Sequence, residues 1–433
     1  MCDTSLLYDN GIANRVPDQT PQLPCDARPP EPAGGGGSGR PVFFLHIPKT
    51  AGTSFLLTLE NIFGSNRLVR LDPNRAGFHQ TFADILKGRH EPFSCLAGHI
   101  PLHALGAQAE RFRVFTILRN PLARVFSLYR FIRQATPEVK AELGLPEDYT
   151  FQAFIASPAP GLYAQTNNAM CRMLADDPGF TDPADPRFTD AEAHPALIEQ
   201  ALALLERIDF GLAEDMPATH RIIRHRWPVP FALDEAVLNT TERDGTERDW
   251  RNVLAVVNHN RLDIVLYERA REIFQARLAA LDDTPAAGDP RNVVLQPVLD
   301  ACIPLSDVAG RQGFHGWEDS GIAWLTAAGP ARIHFLPPAP VSRITLVIFG
   351  IGTNYPFERI KLHLHGYPLP FTIVQRDAQW CTIETRLARA IEGVNTLTIT
   401  PPSFIAVSTL DPASIDKRRL GIALQSLKFS ASA

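Results

Sequence analysis

Two short segments carry residues whose types and spacing suit anion binding. The first is Leu45-His46-Ile47-Pro48-Lys49-Thr50-Ala51-Gly52-Thr53-Ser54. Lys49 offers a point charge, Thr50, Thr53 and Ser54 offer hydroxyl donors, and Gly52 admits a close backbone approach. The second is Thr116-Ile117-Leu118-Arg119-Asn120-Pro121-Leu122-Ala123-Arg124-Val125-Phe126-Ser127-Leu128-Tyr129. Arg119 presents a planar fork that can clamp a phosphate bidentately, and Ser127 adds a hydroxyl about two helical turns later. Two such segments point to a ligand with two separated phosphates. The first is not a Walker A loop, because Lys49 precedes the glycine and the chain has no Gly-Lys-Ser/Thr run. Arg124, Ser127 and Arg130 recur every three residues and share a helix face. On that face Arg124 and Arg130 read as solvated charges, whereas Ser127, with Arg119 at the strand end, reads as a ligand contact.

The surrounding pattern says which elements must hold these residues. Val42-Phe43-Phe44-Leu45 is a continuous apolar run, as a buried parallel strand would be. A helix follows from Thr53 to Phe63, with Phe55, Leu59, Ile62 and Phe63 on one face. A second apolar run, Phe93 to Ala97, ends at Gly98-His99. A third, Arg113 to Leu118, ends at Arg119, and there Asn120 can cap a helix opening on Pro121. Both anion segments therefore sit where a strand passes into a helix. That is the place where an open α/β sheet binds ligands, and where helix N-terminal N–H groups point at an anion. Beyond Thr150 the pattern is mostly helical, strongest over Pro195 to Ile208 and over Trp250 to Leu281 with a break near Asn258–Asn260. Asp282 to Pro290 is a turn-rich interruption. Then the period changes to two in Arg343 to Phe349, Arg359 to His365, Trp380 to Arg386 and Asn395 to Thr400, which predicts an all-β unit.

Composition limits the function classes. The 433 residues exceed one ordinary domain and, at 45% hydrophobic and 21% charged, bury ample core. The net charge of -5 argues against a generally basic nucleic-acid binder. Residues 40–140 nevertheless hold 14 Lys+Arg against 6 Asp+Glu, a local basic excess suited to an anionic ligand. No apolar run is long enough to span a membrane. The opening MCDTSLLYDN has neither the basic nor the apolar region of a secretory signal. Six scattered cysteines with no Cys-x-x-Cys argue against zinc or a disulfide scaffold, and a reducing cytoplasmic location is expected.

With these motifs in hand, the chain resembles the sulfotransferases related to heparan sulfate 2-O-sulfotransferase, over roughly residues 41–280. The resemblance rests on HIPKTAGTS, on TILRNPLARVFSLY, and on Gly98-His99 between them; Asn167 to Leu174, Ile208 to Glu214 and Leu262 to Tyr267 extend it. It implies the cosubstrate 3'-phosphoadenosine 5'-phosphosulfate (PAPS). Lys49, Thr50, Ala51, Gly52, Thr53 and Ser54 would bind its 5' phosphosulfate, and Arg119 with Ser127 its 3'-phosphate. It implies a soluble, bacterial-type member with a carbohydrate or glycan acceptor and no metal. It also places a catalytic histidine at His99, the general base in sulfuryl transfer, with Lys49 offsetting charge on the leaving group. His46, one residue past the strand, is the rival base. His103 stands four residues beyond His99, but no third ligand accompanies the pair.

The expected fold class is α/β: a P-loop-NTPase-like parallel sheet flanked by helices, with a C-terminal all-β sandwich. The expected organisation is a disordered segment over 1–39, a sulfotransferase domain over 40–285, a linker over 286–310 and a β-sandwich domain over 311–433. That last domain resembles modules appended to glycan-processing enzymes. Trp317, Trp324 and Trp380 there either stack on sugars or fill the core, and the core is expected. The alternative function is a non-catalytic nucleotide- or glycan-binding protein on a degenerate sulfotransferase fold. A nucleotide kinase is disfavoured by the absence of a Walker lysine.

Overall fold

The structure, a computed structural model, describes residues 40–71, 77–227, 245–281 and 294–431, apart from Trp317, Asp319, Ser320, Ala328, Thr353, 411–415 and Lys417. The segment 1–39, residues 286–293 of the expected linker and Trp317 lie outside the described residues.

The N-terminal part runs β1 (Val42–Leu45), α1 (Gly52–Phe63), β2 (Leu68–Leu71), α2 (Phe78–Leu86), β3 (Cys95–Gly98), β4 (Arg113–Leu118) and α3 (Pro121–Arg133). Then come α4 (Pro137–Glu142), α5 (Phe151–Ile155), α6 (Pro160–Thr166), α7 (Ala169–Leu174), α8 (His194–Arg207), β5 (Asp209–Leu212), α9 (Met216–Arg226), α10 (Trp250–His259) and α11 (Arg261–Ala279). The strands form one sheet in the order β2-β3-β1-β4-β5, with every pairing parallel. The chain leaves β1 in one direction to build β2 and β3 and in the other to build β4 and β5. The sheet therefore has its switch point at the end of β1, flanked by the ends of β3 and β4.

The unbroken apolar run of β1 has a simple cause, since both faces of the sheet are covered. Phe43 and Leu45 enter one hydrophobic cluster with α7, α8 and α11, while Val42 and Phe44 enter another with α1. Burying each of these side chains is worth roughly 1.5–3 kcal/mol. The break between α10 and α11 falls at Asn260, as the sequence suggests. Its side chain is withdrawn from solvent and donates to the carbonyls of Thr166 and Val256. The segments Asn167 to Leu174 and Leu262 to Tyr267 serve each other. Asn168 Oδ1 accepts from the N–H groups of Leu262 and Asp263, and the Asp263 carboxylate accepts from those of Met170 and Cys171. Each side chain thus satisfies orphan donors at the other helix's start.

The C-terminal part contains β6 (Cys302–Pro304), β7 (Arg311–Gln312), β8 (Ala323–Trp324), β9 (Ala331–Phe335), β10 (Val341–Gly350), β11 (Lys361–Leu364), β12 (Tyr367–Pro368), β13 (Thr372–Arg376), β14 (Trp380–Ile391), β15 (Asn395–Thr400), β16 (Ile405–Ala406), β17 (Arg419–Leu420) and β18 (Ile422–Ala431). One antiparallel sheet has the order β13-β14-β10-β18-β6, with β8 also on β18; a second has the order β12-β11-β15-β9-β7. Ile344, Leu346, Ile383 and Phe429 of the first share a hydrophobic cluster with Ile333, Phe335, Leu397 and Ile399 of the second. Trp324 is buried edge-on against Phe349, and Trp380, partly buried, meets the same ring. The segment 294–310, read from sequence as linker, is built into this part instead. Cys302–Pro304 pairs with β18, and Leu305 and Val308 are core residues. The one strand among these residues, Cys302–Pro304, is three residues long, too short to show a period.

Candidate functional site

The ends of β1, β3 and β4 lie side by side, so the residues that follow them meet although the sequence separates them by up to 70 positions. After β1 the chain turns through Lys49 and Ala51, both left-handed at φ 67°. Neither is a glycine, and each such conformation costs of order 1–3 kcal/mol. Backbone strain of this kind is often held at ligand sites, and left-handed residues in a turn can aim neighbouring N–H groups toward one concave side suited to an anion. The Thr50 hydroxyl donates to the Ile47 carbonyl at 2.8 Å and is fully buried, so its side chain braces the turn and is not an outward donor. Thr53 is exposed and Ser54 half-buried in the first turn of α1.

Gly52 has a further reason to lack a side chain. A Cβ there would lie 1.8 Å from His46 Nε2. The His46 imidazole fills that space, buried and stacked on Phe44 at 5.4 Å. Burial holds its pKa well below the usual imidazole value, and Lys49 and a protonated His99 push the same way. Gly98 is constrained too, since a Cβ would lie 2.8 Å from the Leu71 carbonyl of the neighbouring strand.

His99 follows β3, and its Nδ1–H donates to the His46 carbonyl at 2.6 Å. A carbonyl only accepts, so this bond fixes the tautomer and places the lone pair on Nε2. The two imidazole rings lie 4.0 Å apart. Burial pulls the His99 pKa down to about 4, against the raising effect of the His46 carbonyl and with a smaller lowering from Lys49. The ring is therefore neutral at pH 7.

Lys49 is half-buried with Nζ 4.1 Å from the centre of the Phe131 ring on α3. Burial, reinforced by Arg119, lowers its pKa to about 8. Arg119, after β4, donates from Nη1 to the Lys49 carbonyl at 2.9 Å, which ties the two anion segments into one site. The Arg119 pKa is lowered by burial, and the negative charge of Glu214 opposes this. Glu214, just past β5, accepts from the Asn120 N–H at 2.9 Å and from the Tyr267 hydroxyl at 2.7 Å. Ser127 lies on the buried side of α3, one turn before Phe131 and on the same face.

His46 and His99 are thus in direct contact, as are Lys49 and Arg119, and Lys49 lies near enough to both imidazoles to influence them electrostatically. Two expectations fail. Arg124 is fully buried, donating to the Gln165 carbonyl at 2.7 Å and near Asn260 Oδ1 at 3.5 Å. Arg130 is nearly buried and pairs with Glu247 at 2.8 Å. The face of α3 read as solvated is covered by α6, α10 and the residues before α10, and nothing local in α3 signals that. His103 bonds to the Ala175 carbonyl and the Thr181 hydroxyl. Among the described residues no group of three His, Cys, Asp or Glu is placed to hold a metal ion. Phe131, Glu214 and Tyr267 adjoin the candidate residues, and the sequence reading did not single them out. The one sequence signal for Glu214 was its place at the end of the Ile208 to Glu214 segment that extended the resemblance.

No family model matches the chain. It is 26% identical over 273 residues to heparan-sulfate 6-O-sulfotransferase 1-B of Danio rerio, covering 54% of this chain and 66% of that protein. It is 26% identical over 274 residues to heparan-sulfate 6-O-sulfotransferase 1 of Homo sapiens, with the same coverage. The likeness is to sulfotransferases. The likeness covers about half of this chain, and the matched region spans 66% of those relatives' length. They carry the 6-O name, whereas the motifs had pointed toward the 2-O enzyme. Among solved structures, a sulfotransferase from Alicyclobacillus acidocaldarius matches at 15% identity and TM-score 0.27, covering 52% of this chain and 96% of that one. Mouse SULT7A1 complexed with PAP matches at 13% identity and TM-score 0.23, covering 54% and 90%. No helix among the described residues is long and apolar enough to cross a membrane.

Proposed function

We propose that the chain transfers a sulfuryl group from PAPS to a hydroxyl of a carbohydrate acceptor. The observation that carries this reading is the Arg119 bond to the Lys49 carbonyl. It brings a strained anion loop, a desolvated lysine and a desolvated arginine to the switch point of a parallel sheet, beside a neutral histidine. The donor set fits the cosubstrate. The loop N–H groups, Lys49 and Ser54 would take one anion, and Arg119 at the end of β4 with Ser127 of α3 would clamp a second. Binding of a phosphate offsets the desolvation of both cations, so each is more firmly charged in the complex than without it.

In this reading His99 Nε2 takes the proton of the acceptor hydroxyl as the new oxygen–sulfur bond forms and the sulfur–oxygen bond to the 5'-phosphate breaks. Lys49 balances the charge left on that phosphate. Positioning and electrostatics supply most of the rate, as in phosphoryl transfer. His46 holds the tautomer of His99 through its carbonyl and is not itself the base, because its ring is sealed between Phe44, Gly52 and His99. The C-terminal strands are read as a β-sandwich that assists glycan binding. A cytosolic, reducing compartment fits the free thiols of Cys95, Cys171, Cys302 and Cys381.

The test is incubation with sulfur-labelled PAPS and a panel of unsulfated and partly sulfated glycans, alongside calorimetry with PAP. Label transfer to a glycan is expected. Absence of PAP binding by the wild-type chain would remove the cosubstrate, and PAP binding without transfer to any hydroxyl acceptor would favour the non-catalytic alternative.

A further inference from the structure

The side of α1 that faces away from the parallel sheet should be polar and wet, yet Glu60 is only 1% exposed and Asn61 4%. What covers them is the C-terminal part. Arg311 of β7, with a fully buried side chain, donates from Nη2 to Glu60 Oε1 at 2.7 Å and to Ser65 Oγ at 2.9 Å. Its Nε donates to Asn61 Oδ1 at 3.3 Å and its Nη1 to the Leu305 carbonyl at 3.0 Å. The second Glu60 oxygen accepts from Arg70 at 2.6 Å. The contact is continuous with the core: Val294 is buried in the same cluster as Phe55, Leu59 and Ile62 of α1, and Leu336 packs against it. The Gly310 N–H also donates to the Ile62 carbonyl at 3.3 Å.

This is not the joint of a detachable module. Inter-domain contacts that allow independent motion are mostly polar and wet, whereas here a carboxylate and a guanidinium from different parts of the chain are desolvated together. A buried charge deprived of its partner is strongly destabilising. Arg311 finds its carboxylate in Glu60, and Glu60 divides its two oxygens between Arg311 and Arg70, so the contact matches buried charge from both parts. Glu60 also belongs to the helix whose first turn closes the anion loop, about two turns after Gly52.

We propose that Arg311 is a positioning residue for α1, and that the C-terminal strand unit and the sheet bearing the anion loop are one cooperative body whose two halves respond together to a ligand at that loop. The ligand part rests on the PAP reading above; the cooperativity does not. This departs from the expectation that residues 311–433 form a separate domain.

The experiment is calorimetric unfolding of the full chain with and without PAP, with amide hydrogen exchange followed in α1, β7 and β9. Wild type is expected to unfold in one transition, to move as one on adding PAP, and to gain exchange protection in β7 and β9 as well as in α1. R311M is expected to lower the transition by about 2–5 °C, since it takes from Glu60 the buried one of its two arginine partners and leaves Arg70 on the other oxygen. E60Q/R311M removes both charges and is expected to regain much of that loss, while PAP no longer protects β7 and β9. Recovery of stability without recovery of coupling separates positioning from mere support. Two wild-type transitions, only one of them raised by PAP, would overturn the proposal, as would a double variant that transmits protection like wild type. If PAP changes nothing in wild type, the PAP reading fails, and the number of transitions alone decides whether the halves are one body.

Discussion

Replacing Gly52 by alanine tests the site at its tightest point. The added Cβ would fall 1.8, 2.0 and 2.7 Å from three atoms of the His46 ring, where ordinary contacts exceed 3.4 Å. Something must move by more than 1 Å. The ring cannot yield easily, because Phe44 lies on one side and His99 at 4.0 Å on the other. Forcing an extra methyl into so filled a space typically costs 1–3 kcal/mol. For a chain of this size that is a fall of a few degrees in Tm. A displaced His46 ring presses on the His99 ring 4.0 Å away, whose tautomer is held by the backbone carbonyl of the same His46. Sulfuryl transfer should therefore drop by more than the lost stability explains. His46→Ala on the same background removes the obstacle, and the double variant should recover most of the Tm. The assay is thermal unfolding of G52A, H46A and the pair, with PAP affinity measured on each. A G52A protein with the wild-type Tm would refute the packing argument. If the double variant regains stability but not PAP binding, Gly52 also serves the approach of the anion to the backbone.

Three further outcomes are expected. Arg119→Ala should weaken PAP binding by roughly 1.5–3 kcal/mol, the range for hydrogen bonds to a charged group, read by calorimetry; an unchanged affinity would remove Arg119 from the site. His99→Ala should lose transfer by about 10²–10⁴-fold with PAP affinity nearly intact, measured as turnover and binding on the same preparation; turnover near wild type would eliminate His99 as the base. The folded pKa values of His99, His220, His315 and His334 are all pushed down to about 4 by burial, from 6.5 when exposed. The unfolded chain therefore binds more protons between those values, so stability is full above pH 6.5 and is lost as pH falls toward 4. A Tm that stays flat from pH 7 to 4.5 would contradict this.

The sequence by itself determined the elements that carry the site. The run Val42 to Leu45, the cap at Asn120 and the strand-to-helix junctions at Lys49 and Arg119 are local signals, and local signals survive without tertiary context. The period-two strands after residue 340 were legible for the same reason. What the sequence could not hold is adjacency. Strands β2 and β5 are four residues each, with Arg70 in one and Asp209 and Gly211 in the other, so neither has a strand's usual composition; pairing with β3 and β4 makes them strands. The fate of a polar side chain depends on what arrives from far along the chain. Arg124 is covered by segments around Gln165 and Asn260, and Glu60 by Arg311, 251 residues away. Even Gly52, whose freedom the sequence suggested served a ligand, is shaped as much by the His46 ring beside it. Residue type and spacing set which groups were available for chemistry. Only the packing of distant segments decided which were desolvated, which were paired, and which nitrogen of His99 carries the proton.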